Sequence, residues 1–454
     1  METQNTNNGT EKVEAKIPTA VVESLNKVSI DKDIDKFFRE IDGLANTLPL
    51  TMLLLNIQLK RSREALDAKY SPIEIKGDNN TVYLKYSNVT RETITHFNKL
   101  EKRLGKASLA MRMVPQSYLV SLISQYDAFI GDFIKSFYYL KPELLNASGR
   151  QLSFAELRKI GSIEAASEYV VEKEVDVVMR GSHIEQIDWL AKFSGVELRK
   201  ELKAWKGFVE ITLRRNLFVH TGGRVPQQYL DGCKDHGISV AEVNKCTQLH
   251  VSAKYFVTAY ETILEVGLII AQAIWRKLLP EQREDADSNL NNICVELISE
   301  NRYRLACRIL DHAIEEFKHH TSSEQYQMMM VVNQAQSYKW YGDNNKACKI
   351  LTKHDWSAKS IEYKLAVAVL LDKFDEVYRL MSIIGATGTP SQHQYRDWPL
   401  FKEIRKQQEF INKYEEIFSQ PFGEVEAKPS PEDVLFDFGR MPQFFDDLEK
   451  VQDD

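Results

Sequence analysis

Arg215, Asn216 and His220 are the residues of this chain whose types and spacing best suit phosphate chemistry; they sit in the stretch Arg214-Arg-Asn-Leu-Phe-Val-His-Thr-Gly-Gly-Arg224. An arginine can grip two phosphate oxygens at once, and an imidazole can take and return a proton near neutral pH. Together they can cleave an RNA backbone without a metal. The ribose 2′-OH would attack the adjacent phosphorus and leave a 2′,3′-cyclic phosphate. Arg215 would hold the phosphate charge, His220 would act as general base or acid, and Asn216 would orient the imidazole or a phosphate oxygen. Arg214 and Arg224 flank the set as candidate substrate-binding cations. One histidine serves poorly at both the attacking and the leaving oxygen. A second His220 from a twofold-related copy would complete the pair, so the chemistry calls for a homodimer with a composite site.

These residues need a helix to position them. No proline occurs from Val196 to Val219, and Leu198, Leu202, Trp205, Val209, Leu213 and Leu217 recur every three or four positions, which predicts one helix over this stretch. Gly222 and Gly223 follow where a left-handed C-terminal cap belongs. On a helix, Asn216 and His220 lie one turn apart on one face. Arg215 lies further around, but its long side chain can swing back toward them. A looser match, Arg91 with His96, has Glu92 after the arginine and no glycine turn after the histidine, and is assigned to chance.

The motif Arg215-Asn216-Leu-Phe-Val-His220, the Thr-Gly-Gly-Arg-Val that follows it and the helical surroundings resemble the HEPN superfamily over about residues 112–280. These are all-helical domains that include many prokaryotic ribonucleases of toxin–antitoxin, abortive-infection and CRISPR systems. The resemblance implies that Arg215, Asn216 and His220 are the catalytic set and that the histidine-bearing helices of two protomers pack together. It also implies a toxin or anti-phage effector. Members silenced by AMP transfer carry a tyrosine two residues after the histidine. This chain has Gly222 there, which argues against control by a nucleotidyltransferase at that site.

The wider composition sets bounds. At 454 residues the chain is long enough for two or three domains, and its apolar content of 43% is ordinary for a soluble helical protein. The N-terminal ten residues lack the basic and apolar regions of a signal peptide. The apolar stretch near 256–275 carries Glu261, Glu265 and Gln272, which argues against a membrane span. Five cysteines without framework spacing suggest free thiols in a reducing cytoplasm. The net charge of −6 is concentrated in residues 421–454, whose net is −7, so the remainder is close to neutral at +1. That balance favours a local nucleic-acid site over a long basic groove.

The pattern predicts an all-α, multi-domain chain. Residues 1–30 are polar and irregular and read as a disordered N-terminus. Residues 31–113 read as a helical pair carrying a β-hairpin at 73–86, turned at Gly77-Asp78-Asn79-Asn80. Pro115 is placed to open the next helix, and residues 114–280 form the HEPN-like helical domain. Tyr126, Phe129, Phe133 and Phe137 read as core, while Asp127 could reach the site. From 288 to 420, Ala306-Cys-Arg-Ile-Leu310 recurs as Ala347-Cys-Lys-Ile-Leu351 and Val377-Tyr-Arg-Leu-Met381, a tetratricopeptide-like array able to bind a protein partner or trigger; a plain helical bundle reads nearly as well. The tail at 421–454 mixes acidic residues with Phe436, Phe438, Phe444 and Phe445; it reads as either a disordered tail or a segment that docks on the repeats or a partner, and its charge could mimic RNA and mask the site.

Two other readings compete. Cys233, His236, Cys246 and His250 could form a zinc set, although the spacing is not that of a standard finger, so no metal and no cofactor is assigned. The chain could also be a non-enzymatic scaffold whose Arg–His pair is structural.

Overall fold

The computed structural model describes residues 28–76, 82–147, 149–240 and 243–423, and most of it is helical. The expectations for the first 27 residues, for the hairpin turn and for the acidic tail beyond residue 423 lie outside the described residues.

Two long helices form the frame. Helix α1 spans Ile30–Asp67 and α2 spans Ile94–Leu140. They run antiparallel, as successive contacts show: the Ser136 hydroxyl donates to Asp33 at 2.6 Å, Lys36 pairs with Asp132 at 3.0 Å, and Thr51 meets Tyr118 at 3.2 Å. Between them β1 (Pro72–Lys76) and β2 (Val82–Tyr86) pair antiparallel, with Ile73 opposite Lys85.

Pro115 does not open a helix. It lies buried within the unbroken α2, so the division at 113/114 falls inside one helix. An interior proline removes a hydrogen bond and costs about 3 kcal/mol. Here Met111, Pro115, Leu119 and Leu122 continue one buried stripe against the core, and that packing outweighs the local cost.

A series of shorter helices covers one side of this frame: α3 (Phe154–Ile160), α4 (Ile163–Met179), α5 (His183–Ser194), the single turn α6 (Leu198–Glu201), α7 (Trp205–Thr221) and α8 (Gln227–Asp235). The expected continuous helix from Val196 is therefore interrupted. Leu202 leaves helical geometry at ψ 87°, and α7 restarts at Trp205. Leu198 and Leu202 are buried on the short turn, so the apolar spacing carries across a break that periodicity alone does not register.

Helix α9 (Ala253–Leu278) runs through the middle of the core and is buried along most of its length. It is the one helix among the described residues long and apolar enough to cross a membrane. Its buried charged residues are paired inside the chain: Glu261 with Arg304 and Arg308, Glu265 with Arg308 at 2.7 Å, and Arg276 with Asp287. Tyr126, Phe129, Phe133 and Phe137 all point into this core; Phe129 stacks on Phe37 at 4.3 Å, and Tyr126 meets Phe208 edge-on.

The remaining described residues, up to 423, are largely helical pairs. Helices α10 (Arg283–Ser299) and α11 (Tyr303–Glu316) pack on the main core. Helices α12 (Glu324–Tyr341), α13 (Asn344–Thr352), α14 (Ile361–Leu370) and α15 (Phe374–Ile384) lead into a second core. That core is closed by α16 (Gln392–Asp397) and α17 (Gln408–Phe418). Each of the three similar segments in the sequence lies on the second helix of a pair. Ala306 and Leu310, Ala347 and Leu351, and Val377 and Met381 are all buried there.

Candidate active site

Helix α7 has two unlike faces. Phe208, Val209, Ile211, Thr212, Leu217 and Phe218 are buried, whereas Asn216, Val219, His220 and Thr221 are exposed over the last turns. Asn216 and His220 thus share an outward face, with Val219 beside them at 49% exposure. The Arg215 guanidinium reaches back along the surface, and its Nη1 donates to Asn216 Oδ1 at 2.9 Å. Among the described residues no carboxylate pairs with Arg215 or with the exposed Arg224.

The end of the helix is anchored firmly. Gly222 adopts φ 61° and its N–H returns to Leu217 O. Gly223 follows at φ 94°, with space for no side chain: a Cβ there would lie 2.6 Å from Gln248 Nε2 and 2.7 Å from Leu249 O. The chain then pairs with residues 246–249. Gln248 Nε2 donates to Gly222 O at 2.9 Å, Leu249 N donates to Gly223 O at 2.8 Å, and Arg224 forms a bridge with Gln248. The two glycines do more than end a helix. They seat its last turn against a second strand-like segment, which fixes where His220 and Arg224 stand.

Arg214 has a different role from its neighbour. It is largely buried and pairs with Glu210 at 2.7 Å, while its guanidinium lies 4.0 Å from the centre of the Tyr255 ring. The Tyr229 and Tyr255 hydroxyls both donate to Glu210 at 2.7 Å. Burial opposes the charge on Arg214, but Tyr255, Glu210 and Tyr229 together hold it protonated, above the ordinary arginine range. Burial also raises the Tyr255 and Tyr229 phenols, with the Glu210 charge adding to the effect. This polar knot joins α7 to α8 and α9. Glu210 is four residues before Arg214, a spacing readable as a helix pair. Tyr229 and Tyr255 come from other elements and carry no local signal.

The remaining sequence candidates disperse. Asp127 meets His183 at 3.0 Å, beside Phe208 at the other end of α7, and not the motif. His96 lies against Tyr70, and Arg91 is exposed. Cys233 is buried against Tyr229, and burial raises its thiol pKa; Cys246 is exposed in a turn at φ 71°. His250 lies near Arg112, and partial burial together with that cation holds its pKa below the ordinary value. Among the described residues no group of three or more His, Cys, Asp or Glu is placed to hold a metal ion. His250 itself was not singled out as a partner of the motif, yet it directly follows the segment that pairs with Gly222 and Gly223.

Comparison with family models, with curated proteins and with solved structures finds no match to this chain.

Proposed function

We propose that this chain is a metal-independent endoribonuclease of HEPN type, acting at a composite site of a homodimer. The observation that carries the reading is the exposed pair Asn216 and His220, with half-buried Arg215 held to Asn216, on a helix end whose position is fixed by Gly222, Gly223 and Gln248. Arg215 and His220 belong to the last turns of one helix, and neither is paired with a carboxylate among the described residues.

In this reading Arg215 and Arg224 hold the non-bridging phosphate oxygens, and Asn216 keeps the Arg215 fork in place. Arg214 serves the site indirectly by fixing α7 through Glu210. His220 takes the proton of the 2′-OH as it attacks phosphorus. The P–O5′ bond breaks, and the partner subunit's His220 gives the leaving oxygen its proton. The products are a 2′,3′-cyclic phosphate and a 5′-hydroxyl. Val219, apolar and half-exposed beside His220, supports a face that a second copy covers. The helical pairs of the C-terminal region would then form a tetratricopeptide-like surface for a protein trigger, in a toxin or abortive-infection effector.

The test is RNA cleavage by the purified chain in excess EDTA. Products ending in cyclic phosphate, lost in Arg215→Ala and His220→Ala variants that still fold, support the enzyme. The helical pairs also favour a second reading, a scaffold without activity. Growth arrest on overexpression that needs an intact His220 separates the two, because a scaffold has no use for the imidazole.

A further inference from the structure

The far ends of α1 and α2 form an arm. Beyond Leu59 on α1 and before Met111 on α2, neither helix contributes to the main core, and the two pack on each other with the hairpin at their tip. The outward face of each helix shows the same order of side chains. On α1, Leu50, Leu54 and Ile57 are exposed and followed by exposed Arg61. On α2, exposed Lys99, Lys102 and Lys106 lead to exposed Leu109 and Met113. The steps are three and four residues, so each set is one stripe of its helix. Leu54 is 60% exposed and Met113 50%, unusual for large apolar side chains placed close together. None of the four cations pairs with a carboxylate among the described residues. Over residues 58–112 the sequence has twelve basic and six acidic side chains, a net of +6 in a chain whose total is −6.

We propose that the outward stripes running from the base of this arm onto it are the docking surface for the chain's own C-terminal segment, residues 424–454. That segment has the complementary chemistry: ten acidic against three basic residues, with Phe436, Phe438, Phe444 and Phe445 between them. The phenylalanines cover the exposed leucines, isoleucine and methionine, and the carboxylates meet Arg61, Lys99, Lys102 and Lys106. The N-terminal residues 1–27 do not fit, having four acidic and three basic side chains and no aromatic one. An RNA backbone would use the cations but leave the apolar stripe uncovered.

The tail starts within reach. Phe422 is buried against Phe410 and Tyr414, and Lys402 of the same C-terminal module donates to Asn301 at 2.8 Å. The adjacent Arg302 donates to Asn46, in the middle of α1. Asn46 and Ile57 are separated by about 16 Å along the helix. A tail of 31 residues spans roughly 30 Å as a coil and about 100 Å extended.

Carbodiimide cross-linking of the 454-residue chain, read by mass spectrometry, tests this. The expected products join Lys99, Lys102 or Lys106 to carboxylates between Glu432 and Glu449. Their yield should fall roughly tenfold when the four tail phenylalanines become serine, and again with Leu54→Ser and Met113→Ser, which alter exposed positions and leave the fold intact. Links that form only to other parts of the chain, or a yield indifferent to the phenylalanines, would overturn the proposal. So would absent links combined with an oligoribonucleotide binding the full chain through Lys102 and Lys106.

Discussion

Arg214 and Arg215 are consecutive in sequence and opposite in circumstance. The first is buried in a knot with Glu210, Tyr229 and Tyr255, where three elements depend on its charge. The second lies on the surface beside Asn216 and His220 without a carboxylate partner. A helix turns 100° per residue, so adjacent arginines must face different surroundings. Residue type alone does not separate a structural cation from one available to a ligand; the partners do.

The contrast can be broken by substitution. Glu210→Ala should have the largest effect on stability, about 3 kcal/mol, because it leaves Arg214 largely buried without its counter-charge and two phenols without an acceptor. Denaturant unfolding measures it, and a loss below 1 kcal/mol would mean the knot is not structural. Gly223→Ala comes next at about 2–3 kcal/mol, since a side chain there requires a disfavoured φ and collides with Leu249 O. Gly222→Ala has the same sign of φ but open space around it, and should cost only about 1 kcal/mol. The thermal shift of the two variants gives their order. His220→Ala should stay within about 0.5 kcal/mol of the parent, as exposed positions do, and Arg215→Ala, half-buried and bonded to Asn216, within about 1 kcal/mol. If either unfolds the protein, the surface set is structural and the distinction between the two arginines collapses.

Much of this arrangement is legible in the sequence, and its limits are physical. The helix carrying the motif, its glycine stop and the shared face of Asn216 and His220 follow from local rules of spacing and backbone conformation. The buried role of Arg214 does not, because Tyr229 and Tyr255 reach it from 15 and 41 positions away in the chain. Pro115 misled for a similar reason: a local helix breaker was overruled by a long packing stripe that its neighbours alone do not reveal. The break at Leu202 was invisible because the apolar spacing on both sides stayed in phase. The hairpin strands, by contrast, are read from alternation, a purely local property.

The most direct test of the central claim is cleavage of a mixed RNA substrate by the purified 454-residue chain in excess EDTA, comparing the parent with His220→Ala. The account predicts cyclic-phosphate products from the parent and a loss of roughly 10²–10⁴-fold in the variant at unchanged stability. Equal cleavage by the two proteins, or cleavage that EDTA abolishes, would contradict it.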